Sequence, residues 1–436
     1  MRRSKRYPIL IGIMLLITVL LAACGQNNAA TGESGGTEGG EKKVTIRYLS
    51  FEVEIAEQLS RMFKEYEALN PGVTIMFETI GSGADSASAL RAKFNSGNEP
   101  DIFQNGGYSE LDLWIDHLED LSDEPWAKNV VEMAREPITR DGKLYGQPLK
   151  VEGYGFIYNK DLFKKAGITK VPETLAELEE VANQLQNAGI TPFLNPYGEW
   201  WIIGNHLANI PFAYQEDPNS FIKGLNEGTK SFASNEVFNQ WLDLVDLTLK
   251  YGNKNPLQVD YNTQLTEFAT GKAAMTQQGN WASIPLLKAN PDLNIGFLPM
   301  PINNDAASMN KLPIGVPNYW VLNKKSDPEV KKAAKALLNW MVSNEEGQHY
   351  LMSEFKQIPA IETVRGDKEV LGQLAGDVMR YMDEGKTISW NWFKFPAAEA
   401  TSHYFADALQ AYSAGKMTRE ELLAAFQNAW KNLNNS

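Results

Sequence analysis

The chain reads as an α/β protein of two lobes, and three observations lead there. Residues 44–436, 393 in number, are more than one hydrophobic core usually serves. The start of that stretch alternates strand and helix with short connections, the pattern of right-handed βαβ units in a parallel sheet. Near residue 150 the chain changes character twice within PLKVEGYGFIYNKDLF, from a buried strand holding a charged Glu152 to a helix ending at Gly167.

Residues 1–23 are an address. Arg2, Arg3, Lys5 and Arg6 form a positive segment, residues 9–21 an apolar one, and Leu21, Ala22, Ala23 and Cys24 follow at once. A membrane-spanning helix is the alternative, but the uncharged run of residues 7–24 is marginal against the roughly 20 residues a bilayer needs. The LAAC ending resembles a bacterial lipobox, which implies cleavage before Cys24 and lipid on its sulfur and new N-terminus. Cys24 is the only cysteine, so no intramolecular disulfide can form. Residues 24–43 are Gly-rich, lack aromatic and branched apolar side chains, and read as a flexible tether spanning roughly 24 Å. Removing residues 1–23 takes four positive charges and moves the net charge from −13 to −17. Such an acidic body argues against nucleic acid and against adhesion to anionic lipid, so the lipid must supply membrane attachment.

From residue 44, VTIRYLSF is an alternating strand, and the next helix places Leu59, Met62, Phe63 and Tyr66 on one face. Asn70, Pro71 and Gly72 stop it, and VTIMFETI, a second helix and the strand DIFQNGG follow. Ligands of open α/β sheets bind beyond the carboxyl ends of strands, which selects Phe51 and Glu52, residues 81–85, and residues 105–108 with Asn105. Asp141 and Gly142 mark a hairpin turn. In the crossing stretch Glu152 is either an edge carboxylate or one aimed into a cleft, where a polar ligand would offset its desolvation.

Thr174 and Glu177 have capping-box spacing. Trp200 and Trp201 lie about 100° apart on a helix, so one is expected in the core and the other, with Glu199, in the cleft. A helix over 231–250 turns Val237, Trp241, Leu244, Val245 and Leu249 inward, and the strand AAMTQQ leads to Gly279, Asn280 and Trp281. An aromatic at a strand's carboxyl end, preceded by a glycine that admits close approach, can offer its face to a flat ligand. Residues 315–322 read as one strand, Trp340 as core, and residues 366–436 as a helical end in which at least one of Trp390 and Trp392 faces the cleft.

The strings FKEYEALNPGVTI, LRAKFNSGNEPDIF, GYGFIYNKDLFKKAG and GKAAM with GNW, in this order, resemble the maltose-binding-like extracellular solute-binding proteins of bacterial ABC importers. The resemblance covers nearly all of residues 44–436 and implies a periplasmic-binding-protein-like fold with discontinuous lobes and a central cleft. The lobes are expected at 44–150 with 316–358 and at 153–312 with 362–436. It further implies that Glu199, Trp201 and Trp281 meet a sugar; Glu52, Asn105, Glu152, Tyr154, Asn280, Trp390 and Trp392 complete the expected sugar-binding set. The implied partners are a sugar or oligosaccharide, ABC permease subunits, and the membrane through the lipid on Cys24. The chain is expected as a monomer on the extracellular face of a Gram-positive-type cell membrane.

Enzyme signatures such as HExxH and the P-loop are missing, and His117, His206, His349 and His403 lack ligand spacing and read as solvated or satisfied. No cofactor or metal is expected. A glycoside hydrolase is the serious rival, with Glu152 and Glu199 as the available pair. It would need them about 5–5.5 Å apart for retention or about 6.5–9.5 Å for inversion.

Overall fold

The computed structural model describes residues 43–81 and 86–435. The expectations for residues 1–23, for Cys24 and the tether to residue 42, and for loop residues 82–85 lie outside the described residues.

Five strands form one sheet in the order Val73–Thr79, Val44–Ser50, Ile102–Asn105, Tyr319–Leu322, Gly146–Pro148. Val44–Ser50 runs parallel to both of its neighbours. The intervening helix Ala56–Leu69 buries Leu59, Met62, Phe63 and Tyr66, the four residues its periodicity selects. Phe63 seats it on the sheet, its ring 4.6 Å from that of Tyr48. The opening is therefore the βαβ unit that the sequence predicts, and it directs the carboxyl ends of three parallel strands to one edge.

The second sheet has the order Thr387–Ser389, Leu312–Gly315, Glu152–Asn159, Ala273–Gly279, Thr191–Leu194, and Ile295–Leu298 also pairs with Glu152–Asn159. Ala273–Gly279 is buried throughout, and its polar half is satisfied: Thr276 Oγ1 donates to the Leu194 carbonyl at 2.8 Å, Gln277 Nε2 to that of Ile202 at 3.1 Å and Gln278 Nε2 to Gln264 Oε1 at 2.9 Å.

Between the sheets the chain crosses in adjacent segments. Pro148 pairs with Tyr319 in the first sheet and Glu152 with Gly315 in the second, so residues 149–151 and 316–318 span the gap in opposite directions. The Leu149 N–H donates to the Asn318 carbonyl at 3.1 Å, and the Val151 N–H to that of Ile358 at 2.9 Å. Residues 315–322 are thus two strands in different sheets rather than one. Pro317, which has no N–H for a ladder, sits at the break.

Other local expectations shift by small amounts. The hairpin stands on Asp141 and Gly142, both at positive φ. Thr174 accepts the Glu177 N–H at 3.2 Å, but Glu177 returns its bond to the Glu173 N–H at 2.8 Å, one residue from a true capping box. The helix expected over 231–250 is Glu236–Lys250, capped by Asn235; Trp241 is fully buried, whereas Val237 and Leu249 stay half-buried. Trp340 is half-buried too, edge-on to Tyr66 at 5.2 Å, because it lies on the flank of its helix.

Candidate functional site

Where the first crossing leaves the first sheet, three charged side chains are buried together. Lys150 lies in the crossing itself, Glu52 follows the first strand, and Glu152 opens the central strand of the second sheet. The Lys150 Nζ contacts Glu52 Oε2 directly and Glu152 Oε1 at 2.9 Å, and all three side chains are 8% exposed or less. Gln104 Nε2 donates to the other Glu52 oxygen at 3.4 Å. One ammonium therefore joins a carboxylate from each sheet, as a buried charge requires. Burial would lower the Lys150 ammonium, but Glu152 and Glu52 hold it above its ordinary value. Burial pushes the Glu152 carboxyl up to about 7, against the pull of Lys150 and with added repulsion from Glu52. Glu54 is raised as well, by burial and then by Glu52.

Beside this cluster a cavity of about 230 Å³ opens. Phe51, Val53, Glu54 and Ile80, from loops beyond strands of the first sheet, form one wall; Glu199, Trp200, Trp201 and Tyr261, from the second lobe, form the other. One hydrogen bond links the walls and two more brace the second. The Tyr261 hydroxyl donates to Glu54 at 2.9 Å and its backbone N–H to Glu199 Oε1 at 3.0 Å, while Trp201 Nε1–H donates to Glu199 Oε2 at 3.1 Å. Glu199 thus fixes the plane of the Trp201 ring.

Behind the cavity the rings grade from exposed to buried. Trp281 is half-buried and packs against both hydrophobic cores. Its ring lies flat over Gly279, where an added Cβ would come within 1.9 Å of it, so the expected need for glycine before the tryptophan holds. Trp390 covers Gly315 in the same way, with 2.6 Å to a Cβ there. Trp390 and Trp392 stack at 4.5 Å.

Several expected binding residues lie deeper than the sequence suggested. Neither Trp390 nor Trp392 is open to the cleft; at 7% and 4% exposure they form the layer beneath it. Tyr154 is fully buried, its hydroxyl donating to the His206 carbonyl at 2.9 Å. Asn105 is also fully buried, with Oδ1 accepting the Gly107 N–H at 2.8 Å and Nδ2 donating to the Glu110 carbonyl at 3.2 Å. Asn280 accepts the Gly153 N–H at 2.9 Å and so ties the ring-bearing turn to the central strand. Trp200 and Trp201 do not divide between core and cleft. Both are half-buried and line the cavity, Trp200 being stacked on His403 at 3.8 Å, because the segment turns into the π-helix Ile202–Leu207 at this point. Sequence reasoning passed over Lys150, Glu54 and Tyr261 and read His206 as solvated or satisfied, whereas its ring is buried with Nδ1 unpartnered; a lysine inside the apolar PLKVEG run was the one available signal.

Residues 52–348 match the profile of a family described as bacterial extracellular solute-binding protein. The multiple sugar-binding protein of Streptococcus mutans is 25% identical over 367 residues, covering 82% of this chain and 83% of its own. The maltooligosaccharide ABC transporter solute-binding lipoprotein of Streptococcus pneumoniae R6 is 26% identical over 388 residues, 82% and 81% of the two chains. Among solved structures, a chitin oligosaccharide binding protein superposes with a TM-score of 0.77 at 24% identity, over 91% of this chain and all of its own.

Proposed function

The chain belongs to the bacterial extracellular solute-binding proteins, and from that premise we propose that it captures a sugar or oligosaccharide in this cleft and delivers it to an ABC permease. The cavity carries the reading. Flat rings at Trp200, Trp201 and Tyr261 suit the apolar faces of sugar rings, and Glu54 and Glu199 suit hydroxyl donors. The sugar ligands named for the streptococcal relatives point the same way. Trp281 and Glu152 stand next to this wall and complete the site, with Glu52, Asn105, Tyr154, Asn280, Trp390 and Trp392 as its support. The relatives are named as binding proteins and do not support a glycoside hydrolase. Both Glu199 oxygens hold N–H donors and Glu152 is tied to Lys150, so each carboxylate is engaged in holding the site together.

The lobes of this reading are residues 44–150 with 316–358 and 153–312 with 362–436, hinged at the adjacent crossings and at a third between residues 358 and 362. A panel of mono-, di- and trisaccharides followed by thermal unfolding tests it. A ligand that binds the folded state alone adds about 2.7 kcal/mol at 100 times its Kd, so at least one saccharide should raise the Tm. A panel with no such saccharide, beside a clear response to another solute class, would refute the sugar assignment.

Attachment to the outer face of the membrane through lipid on Cys24 belongs to the same proposal, as does a monomeric state. Among the described residues no helix is long and apolar enough to cross a membrane. Cys24→Ser should leave a chain that is released or uncleaved; a cleaved variant that still sediments with membranes contradicts the anchor.

A further inference from the structure

His206 is the ring on which five aromatics of the cleft wall and the layer beneath it converge. Its imidazole stacks on Tyr154 with centroids 4.6 Å apart and 24° between planes. It stands edge-on to Trp201 at 5.3 Å and to Trp392 at 5.2 Å, and lies 5.0 Å from Trp281 and 6.1 Å from Trp390. The residue is 6% exposed, whereas Trp201 and Trp281 are half-buried, so the imidazole backs both cleft rings from a place a ligand does not reach.

Main-chain geometry fixes it there. The His206 carbonyl accepts the Tyr154 hydroxyl at 2.9 Å, and Asn209 Nδ2 donates to that same hydroxyl at 3.0 Å. The turn that carries it, Ile202–Leu207, is π-helical, with the Ala208 N–H reaching the Ile203 carbonyl. Such a widened turn brings residues five apart, here Trp201 and His206, toward one face, and π-turns recur at functional sites. The ring is held by its faces and edges: Nδ1 is buried with no hydrogen-bond partner. Of the five rings around it only Tyr154 can titrate, and burial holds that phenol well above its usual range. Burial likewise pulls the imidazole down to about 3, so it stays neutral.

We propose that His206 is a positioning residue that orients Trp201 and Trp281 through the shape of its flat ring. The proposal rests on the reading of those two tryptophans as the ligand platform. An apolar core histidine and a positioning one differ in what replaces them: a core position needs volume, this one needs a ring.

The test compares His206→Phe with His206→Leu in the mature protein carrying 5-fluorotryptophan, with the Trp201 and Trp281 fluorine resonances assigned by substitution. In the ligand-free protein the Phe variant should keep both resonances near their wild-type positions and the Leu variant should move them. Maltotriose, raffinose and triacetylchitotriose are then titrated as probes. For any of these that wild type binds, Phe should stay within about 3-fold of wild-type affinity and Leu should weaken it about 10-fold or more. Unmoved resonances in the Leu variant, or Phe and Leu variants equally displaced, overturn the proposal. So does a wild-type titration near pH 6.5, the ordinary histidine value, that vanishes in the Phe variant. Because the fluorine comparison needs no ligand, failure of wild type to bind any sugar would count against the platform reading and leave this result separate.

Discussion

Trp281→Ala weakens sugar binding by about 30-fold or more, the loss expected when a buried aromatic anchor of a binding site is truncated, about 2 kcal/mol. Its ring is half-buried, lies on Gly279 and touches both hydrophobic cores, so under the proposed reading the substitution strips a face from the cleft and the contact joining it to the layer below. Some stability is lost as well, but less than the roughly 3–5 kcal/mol of a fully enclosed tryptophan. Trp241, with no exposure at all, supplies the control. Trp241→Ala should lower the Tm far more and leave the affinity of the folded fraction unchanged. Calorimetric titration and thermal unfolding of both variants check the pair. Reversal of the two profiles would place Trp281 in the core and remove the platform.

Lys150→Met has a large expected effect on stability. It removes the one cation between Glu52 and Glu152, and breaking a buried ion pair from one side costs roughly 3–5 kcal/mol because the remaining charge is uncompensated. The deficit depends on pH, and its sign follows from Glu152. Its folded carboxyl is raised to about 7 from an ordinary 4.5, so its contribution is fully present below pH 4.5 and is lost as pH rises through 7. Glu110, buried and raised to about 7, acts in the same direction in both proteins. Without the ammonium that favours ionised Glu152, the variant's penalty at high pH grows, while protonation relieves it at low pH. Urea midpoints at pH 5 and pH 8 should show a gap between wild type and variant that widens at pH 8. A gap of equal size at both values would mean that Lys150 acts through packing alone.

Elements whose determinants are local were legible in the sequence. The helix Ala56–Leu69 shows its buried face as a period, the Asp141-Gly142 turn shows its residue types, and Gly279 before Trp281 shows a close approach. Residues defined by a distant partner were not. Lys150 meets Glu52 across 98 residues and Tyr261 meets Glu54 across 207, and no periodicity records such pairings. Depth below the cleft was equally hidden. Trp390 and Trp392 carry the same side chain as Trp281, and only the stacking of one layer on another separates the half-buried ring from the buried ones. The role proposed for His206 was hidden for a related reason: a lone histidine has no spacing to betray it, and that role comes from the five rings that the fold assembles around it.

The central claim is a two-lobed trap that closes on a sugar, and solution scattering tests it most directly. Residues 149–151 and 316–318 form a narrow connection of the kind that hinge motions use. Scattering from the mature protein, recorded without and then with a saturating amount of the saccharide that raises its Tm most, should show a smaller radius of gyration in the presence of sugar. An unchanged profile at saturation would contradict closure of the cleft around its ligand.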